Sequence, residues 1–179
     1  MTAAVRRWSL PLRALHWIMA ALILGLLALG LLMTHLRFDL GTTFALYQWH
    51  KSIGVVVLLL WGVRLGTRAA WPAPPEETPA GWQRAAARGT HLLLYGLMLA
   101  LPLSGWMLAS ASPLHLPTRP FNLFTLPDLV TAGPRLFAAL EGVHAALAYG
   151  LLALVAVHVA GALKHRFVDR DGVMARMGF

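Results

Sequence analysis

Four long apolar runs organise the chain. Residues 14–36 contain no Asp, Glu, Lys or Arg and stand between Arg13 and Arg37. Residues 43–66 carry two charges, Lys51 near the start and Arg64 near the end. A third run follows Arg88 and reaches residue 111, and a fourth fills 142–163 between Glu141 and Lys164. A helix needs about 20 mostly apolar residues to cross a hydrocarbon core, and each run is long enough. The pattern predicts an all-α fold: an integral membrane four-helix bundle forming one domain over residues 1–179, with helices at about 14–36, 43–66, 88–111 and 137–165. The first run follows Arg6, Arg7 and Arg13, as a signal peptide would, but it is too long and no small-x-small cleavage site follows it, so it is expected to remain.

The connections differ in kind. "WPAPPEETPAGW" (71–82) is Pro-rich and reads as an extended linker. Residues 112–135 contain five prolines, which forbid one continuous helix. Their Phe and Leu content predicts a segment that lies on the bilayer or caps the bundle.

Composition agrees with the pattern. Of 179 residues, 58% are hydrophobic and 12% charged, with a mean hydropathy of +0.65. A soluble domain keeps about a quarter of its residues charged, so lipid must be the main solvent and the main partner here. The sequence pI near 11.3 does not indicate nucleic acid, because the basic residues cluster at the ends of apolar runs. The N-terminal segment, the second connection and the tail hold eleven of them; Arg37, Lys51, Arg119 and Arg135 lie on the other side. The positive-inside rule then places both termini in the cytoplasm. The chain has no cysteine, which excludes disulfides, iron–sulfur clusters and thiolate metal sites. No HExxH, P-loop or nucleophile elbow supports a hydrolase or an NTPase.

Chemistry concentrates in the histidines. His144 and His158 are fourteen residues apart on the fourth run, about 21 Å along a helix. Fourteen is four turns of a 3.5-residue bundle repeat, so both rings point inward, one near each surface, with Leu151 midway on the same face. A buried imidazole in lipid needs a partner. At the outer level His50, near the start of the second helix, is the natural mate of His144. At the inner level His158 has two candidates, His16 and His91, and depth does not choose between them. Two imidazoles from different helices can hold a haem iron from opposite faces. Small residues at i+4 suit a flat macrocycle: Ala20, Gly54, Ala148 and Ala162 follow His16, His50, His144 and His158, whereas Tyr95 follows His91. This favours His16. His35 and His115 are expected in solvent and His165 at the inner interface. Trp8, Trp17, Tyr47, Trp49, Trp71 and Trp82 form an expected interfacial belt. Lys51 either snorkels or meets a haem propionate.

"LRALHWIMA" (12–20), "WHKSIGVVVLLLWGVRL" (49–65), "THLLLYGLMLALPLSGWMLASA" (90–111) and "VHVAGALKHRF" (157–167) closely resemble the bacterial cytochrome b561 family, which is related to the cytochrome b subunits of nickel–iron hydrogenases and formate dehydrogenases. The resemblance spans all four helices. It implies two b-type haems in a bacterial inner membrane, the inner iron held by His16 and His158 and the outer by His50 and His144. Both haems are non-covalent, since no CxxCH is present. The resemblance makes His91 a family feature, placed near the inner haem or a quinone.

Paired imidazoles leave no open iron position, so electron transfer is the expected activity. The first reading is a quinone-linked oxidoreductase. It takes electrons from a small outer-side one-electron donor, for which the resemblance suggests superoxide, and passes them to ubiquinone or another quinone. Lys51, Arg119 and Arg135, with Arg37, would steer an anion to the outer haem; His91 and His165 are the quinone-site candidates. The second reading is a haem-bearing anchor subunit for a periplasmic dehydrogenase, a hydrogenase or a cytochrome c, with that protein as redox partner.

Overall fold

A computed structural model of the chain describes residues 7–71, 74 and 81–178. Most of the 71–82 linker, together with Arg6, lies outside the described residues. Four helices dominate: α1 Leu10–His35, α2 Leu40–Ala70, α3 Trp82–Ser110 and α4 Pro134–Lys164. All four are long and apolar enough to cross a membrane, and among the described residues there is no strand. The molecule is an all-α transmembrane four-helix bundle.

Local chemistry sets the helix ends. Pro11 and Pro134 occupy the first turns of α1 and α4, where the missing N–H is one the helix could not use. Asp39 caps α2: its carboxylate accepts from the Thr42 N–H at 3.0 Å and from the Thr42 hydroxyl. These bonds, the hydroxyl's first, hold the Asp39 carboxyl below the usual carboxylate range. The helices overrun the apolar runs. α3 begins at Trp82 rather than near 88, and α4 begins at Pro134 rather than near 137. Only the hydrocarbon layer demands apolar residues; the helix itself continues through the headgroup zone, carrying Arg84 and Arg88 on α3 and Arg135 and Glu141 on α4.

In sequence order, α1 packs along α2, α2 along α3 and α3 along α4. Backbone approach of α4 to α1 and α2 is sparse, and what meets there are histidine rings. Leu12, Met19, Val57, Leu140 and Leu151 are buried along the interior, while Leu24, Leu59, Leu92 and Val157 face outward as lipid-facing residues should. The expected belt residues Trp17, Tyr47, Trp49, Trp71 and Trp82 are exposed.

Each end of the bundle is closed by chain. At the end away from the termini, residues 112–133 fold onto α2 and α3. The Phe121 N–H donates to Ser52 Oγ at 3.0 Å, the Leu129 N–H to Ser110 Oγ at 3.1 Å, and Trp106 Nε1–H to the Pro127 carbonyl at 3.0 Å. A 3-10 turn at Pro120–Asn122 carries Phe121 and Asn122 at φ 49° and 59°, and Phe121 stacks edge-on against Trp49. This segment caps the bundle. At the terminal end, a π-helical turn at His165–Asp169 and a 3-10 turn at Met174–Met177 bring the tail back across α1. The Trp8 N–H donates to the Arg176 carbonyl at 3.1 Å, Trp17 Nε1–H to the Met177 carbonyl at 3.0 Å, and the buried Arg176 guanidinium to the Pro74 carbonyl at 2.9 Å. Both termini therefore share one end.

Candidate functional site

The interior of the bundle is organised by α4. His144 and His158 stand four turns apart on the same face, with Leu151 buried midway at 4% exposure. The His144 ring meets His50 of α2 with centroids 6.3 Å apart and planes at 77°. The His158 ring meets His16 of α1 at 6.2 Å and 67°. His91 of α3 also approaches His158, at 5.5 Å, but is itself exposed on the surface of the bundle.

These spacings can be set against what an iron held between two imidazoles requires. A metal–imidazole nitrogen bond is about 2.0–2.1 Å, and a five-membered ring with sides near 1.35 Å has its centre about 1.1 Å behind each nitrogen. Two such rings on opposite sides of one metal have centroids about 6.3 Å apart. The His50–His144 and His16–His158 pairs both fit; His91–His158 is too close by most of an ångström. Among the described residues, the buried Nδ1 of His50 has no hydrogen-bond partner. The donor set of neutral imidazoles from separate helices suits haem b.

Glycines let the rings of His144 and His50 come close to neighbouring helices. A Cβ added at Gly105 of α3 would sit 3.1 Å from His144 Cε1, and one at Gly30 of α1 would sit 3.6 Å from His50 Cε1. Gly54, which the sequence singles out, meets nothing within 4 Å; the glycines that touch the rings belong to other helices. Ser104, at 6% exposure, places its Oγ 2.9 Å from His144 Nδ1 and 2.8 Å from the Leu101 carbonyl. Sequence reading missed Ser104, Gly105 and Gly30. The only signal was "PLSG" at 102–105, where a proline and a glycine interrupt an otherwise ordinary helix.

Beside the His16–His158 pair lies a membrane-embedded cation. Arg64 donates through Nε to the Tyr95 hydroxyl at 3.0 Å and through Nη1 to the Leu12 carbonyl at 3.4 Å, while Trp61 Nε1–H donates to the Tyr95 carbonyl. His165 is engaged with acids of the tail: its Nδ1 is 2.7 Å from Asp171 Oδ2 and 3.4 Å from Asp169, which Lys164 also pairs. At the opposite end Lys51 is half-buried, next to His50, and Arg119 and Arg135 are exposed. His35 and His115 are also exposed there.

Histidine pairs bridging a transmembrane four-helix bundle define the class of membrane-embedded b-type cytochromes. The profile of one such family, prokaryotic cytochrome b561, matches residues 7–179, and the chain belongs to that family. It is 34% identical over 178 residues to cytochrome b561 homolog 2 of Escherichia coli (strain K12), covering 98% of this chain and 93% of the relative. Cytochrome b561 homolog 1 of the same organism is 29% identical over 138 residues, 76% of this chain and 77% of the relative. Cytochrome b562 of Cereibacter sphaeroides is 28% identical over 167 residues, 91% and 89% of the two chains. Members of the family bind haem b, and the protein is a membrane b-type cytochrome of electron transfer.

Proposed function

We propose that the chain is a two-haem conduit that carries electrons between a small one-electron donor on the outer side and quinone in a bacterial inner membrane, with both termini cytoplasmic. The observation that carries this reading is the pair of ring spacings, 6.3 Å for His50–His144 and 6.2 Å for His16–His158. His50 and His144 hold the outer haem and His16 and His158 the inner one. Haem iron, when bound, supplies reversible one-electron chemistry. The protein's part would be to present two neutral imidazoles to a haem at each level and to keep the two levels about 21 Å apart along α4.

The approaches to the two levels suit different partners. Lys51, Arg119 and Arg135 surround the outer end and draw a small anion such as superoxide. At the inner level the exposed ring of His91 lies beside His158. It is open to lipid and can hydrogen-bond a quinone carbonyl. His165, paired to Asp171, is the second candidate on this side, placed to pass protons from the cytoplasm to a quinone being reduced.

Pigment extraction from the purified protein tests the core of this reading. Two non-covalent haems per chain are expected. His50→Ala and His144→Ala each remove one spectral component, His16→Ala and His158→Ala remove the other, and His91→Ala keeps both. A wild-type ratio near one, or loss of haem in His91→Ala with none in His16→Ala, overturns the ligand assignment. Quinone reoxidation of haem in His91→Ala and His165→Ala tests the acceptor side; unchanged kinetics in both move the quinone elsewhere.

A further inference from the structure

We propose that Ser104 is a positioning residue for His144: its hydroxyl fixes which ring nitrogen carries the proton and so sets the reduction potential of the outer haem. This rests on the reading of His50 and His144 as the outer ligand pair. Ser104 is buried at 6% exposure, and its Oγ touches two partners, the Leu101 carbonyl at 2.8 Å and His144 Nδ1 at 2.9 Å. A carbonyl can only accept, so the single hydroxyl proton of Ser104 is committed to Leu101. The oxygen is then an acceptor toward the ring, and the same Leu101 carbonyl also meets His144; two acceptors beside one ring favour the tautomer protonated at Nδ1. That leaves Nε2 with its lone pair free, the state a metal ligand requires.

The arrangement does more than choose a tautomer. An imidazole whose distal N–H is accepted by an oxygen becomes a more basic ligand. A more basic ligand stabilises ferric over ferrous iron and lowers the potential. Across the pair, the buried Nδ1 of His50 has no hydrogen-bond partner among the described residues. Among the described residues the two outer ligands are therefore unequal, with a hydrogen bond from α3 at His144 Nδ1 and none at His50 Nδ1. Gly105, the next residue after Ser104, lets the ring lie close enough to α3 for this bond to form: a Cβ there would be 3.1 Å from His144 Cε1 and 3.5 Å from Nδ1. The hydroxyl and the missing side chain act on one ring from adjacent positions.

An optical redox titration in a His16→Ala background, where only the outer haem remains, reads the effect without any turnover. Ser104→Ala is expected to raise the outer midpoint potential and to weaken outer haem binding by roughly 10- to 100-fold, the usual loss when a ligand's hydrogen-bond partner is removed. Ser104→Thr, which keeps the hydroxyl, is expected to restore both. Ser104→Ala with an unchanged potential overturns the proposal. If Ser104→Ala empties the site, Ser104→Thr decides: wild-type haem content and potential support the hydroxyl's role, and a Thr protein equally empty overturns it. A His144→Ala protein that still holds two haems overturns the ligand pair itself, and this inference with it.

Discussion

Gly105 and Gly30 invite a paired substitution, because the structure assigns them different consequences. An alanine Cβ at position 105 would lie 3.1 Å from His144 Cε1, whereas one at position 30 would lie 3.6 Å from His50 Cε1. Carbon atoms pack comfortably at about 3.5–4.0 Å, so Gly30→Ala makes an ordinary contact while Gly105→Ala forces the ring away from α3 by about 0.4 Å or more. That displacement stretches the 2.9 Å bond to Ser104 to about 3.3 Å, past the usual limit for a good hydrogen bond. Overpacking of this kind costs about 1–3 kcal/mol, which is a 5- to 150-fold loss of outer haem affinity at about 1.4 kcal/mol per decade. Both changes also favour the helix by roughly 0.5–1 kcal/mol relative to glycine. Gly30→Ala should therefore unfold at least as late as wild type and bind haem normally, whereas only Gly105→Ala should bind the outer haem poorly. Haem titration of the apoprotein in nanodiscs, with thermal unfolding followed by circular dichroism, separates the two quantities. Wild-type outer affinity in Gly105→Ala, or a larger loss in Gly30→Ala, would refute the reasoning.

Three further outcomes are expected. Arg176→Ala removes the charged donor from the Pro74 carbonyl and should cost about 1.5–3 kcal/mol of tail docking, seen as faster amide exchange at Trp8 with haem content unchanged. The natural chain has no cysteine, so single Ser112→Cys and Val173→Cys proteins can be labelled in intact spheroplasts by an impermeant thiol reagent; only the former should react. The cap of α2 should be present at neutral pH and lost in acid. The folded carboxyl of Asp39 titrates below its unfolded value of 3.8, so its contribution holds above that value and disappears as pH falls through the lower one. The Thr42 amide resonance should report the change, and Asp39→Asn should abolish it while keeping the cap.

The fold was legible because lipid imposes a length rule on apolar runs, and the four runs around 14–36, 43–66, 88–111 and 142–163 obey it. Helix ends were less legible, since nothing in the rule says where a helix stops once it leaves hydrocarbon: Trp82 to Arg88 precedes the third apolar run yet is the first two turns of α3. Histidine periodicity along α4 implied two levels, and the shared level of His50 and His144 follows from where α2 and α4 begin. Depth could not separate His16 from His91, because both lie about one turn past an arginine. Ring spacing from His158 differs, 6.2 Å for His16 against 5.5 Å for His91, and spacing between helices is a tertiary quantity. Ser104 was illegible for a related reason: a serine in an apolar helix ordinarily satisfies itself on a carbonyl of the preceding turn, and only the helix alongside reveals its second partner. The tail's return to Trp8 and Trp17 depends on a π-helical turn and a left-handed Arg170, neither of which leaves a periodic mark.

Because His144 and His158 share one helix, the separation of the two levels is written in the covalent chain and not in the packing. Indels therefore have sharply unequal consequences across this molecule. Deleting one residue between positions 144 and 158 turns one histidine by about 100° relative to the other and carries it off the interior face, whereas a change of length within 112–133 leaves that interval intact. An insertion of seven would restore the face but lengthen the path by about 10 Å. Related chains should accordingly vary in loop length while this thirteen-residue interval stays constant, and aligning natural sequences by that interval should recover the register of the fourth helix.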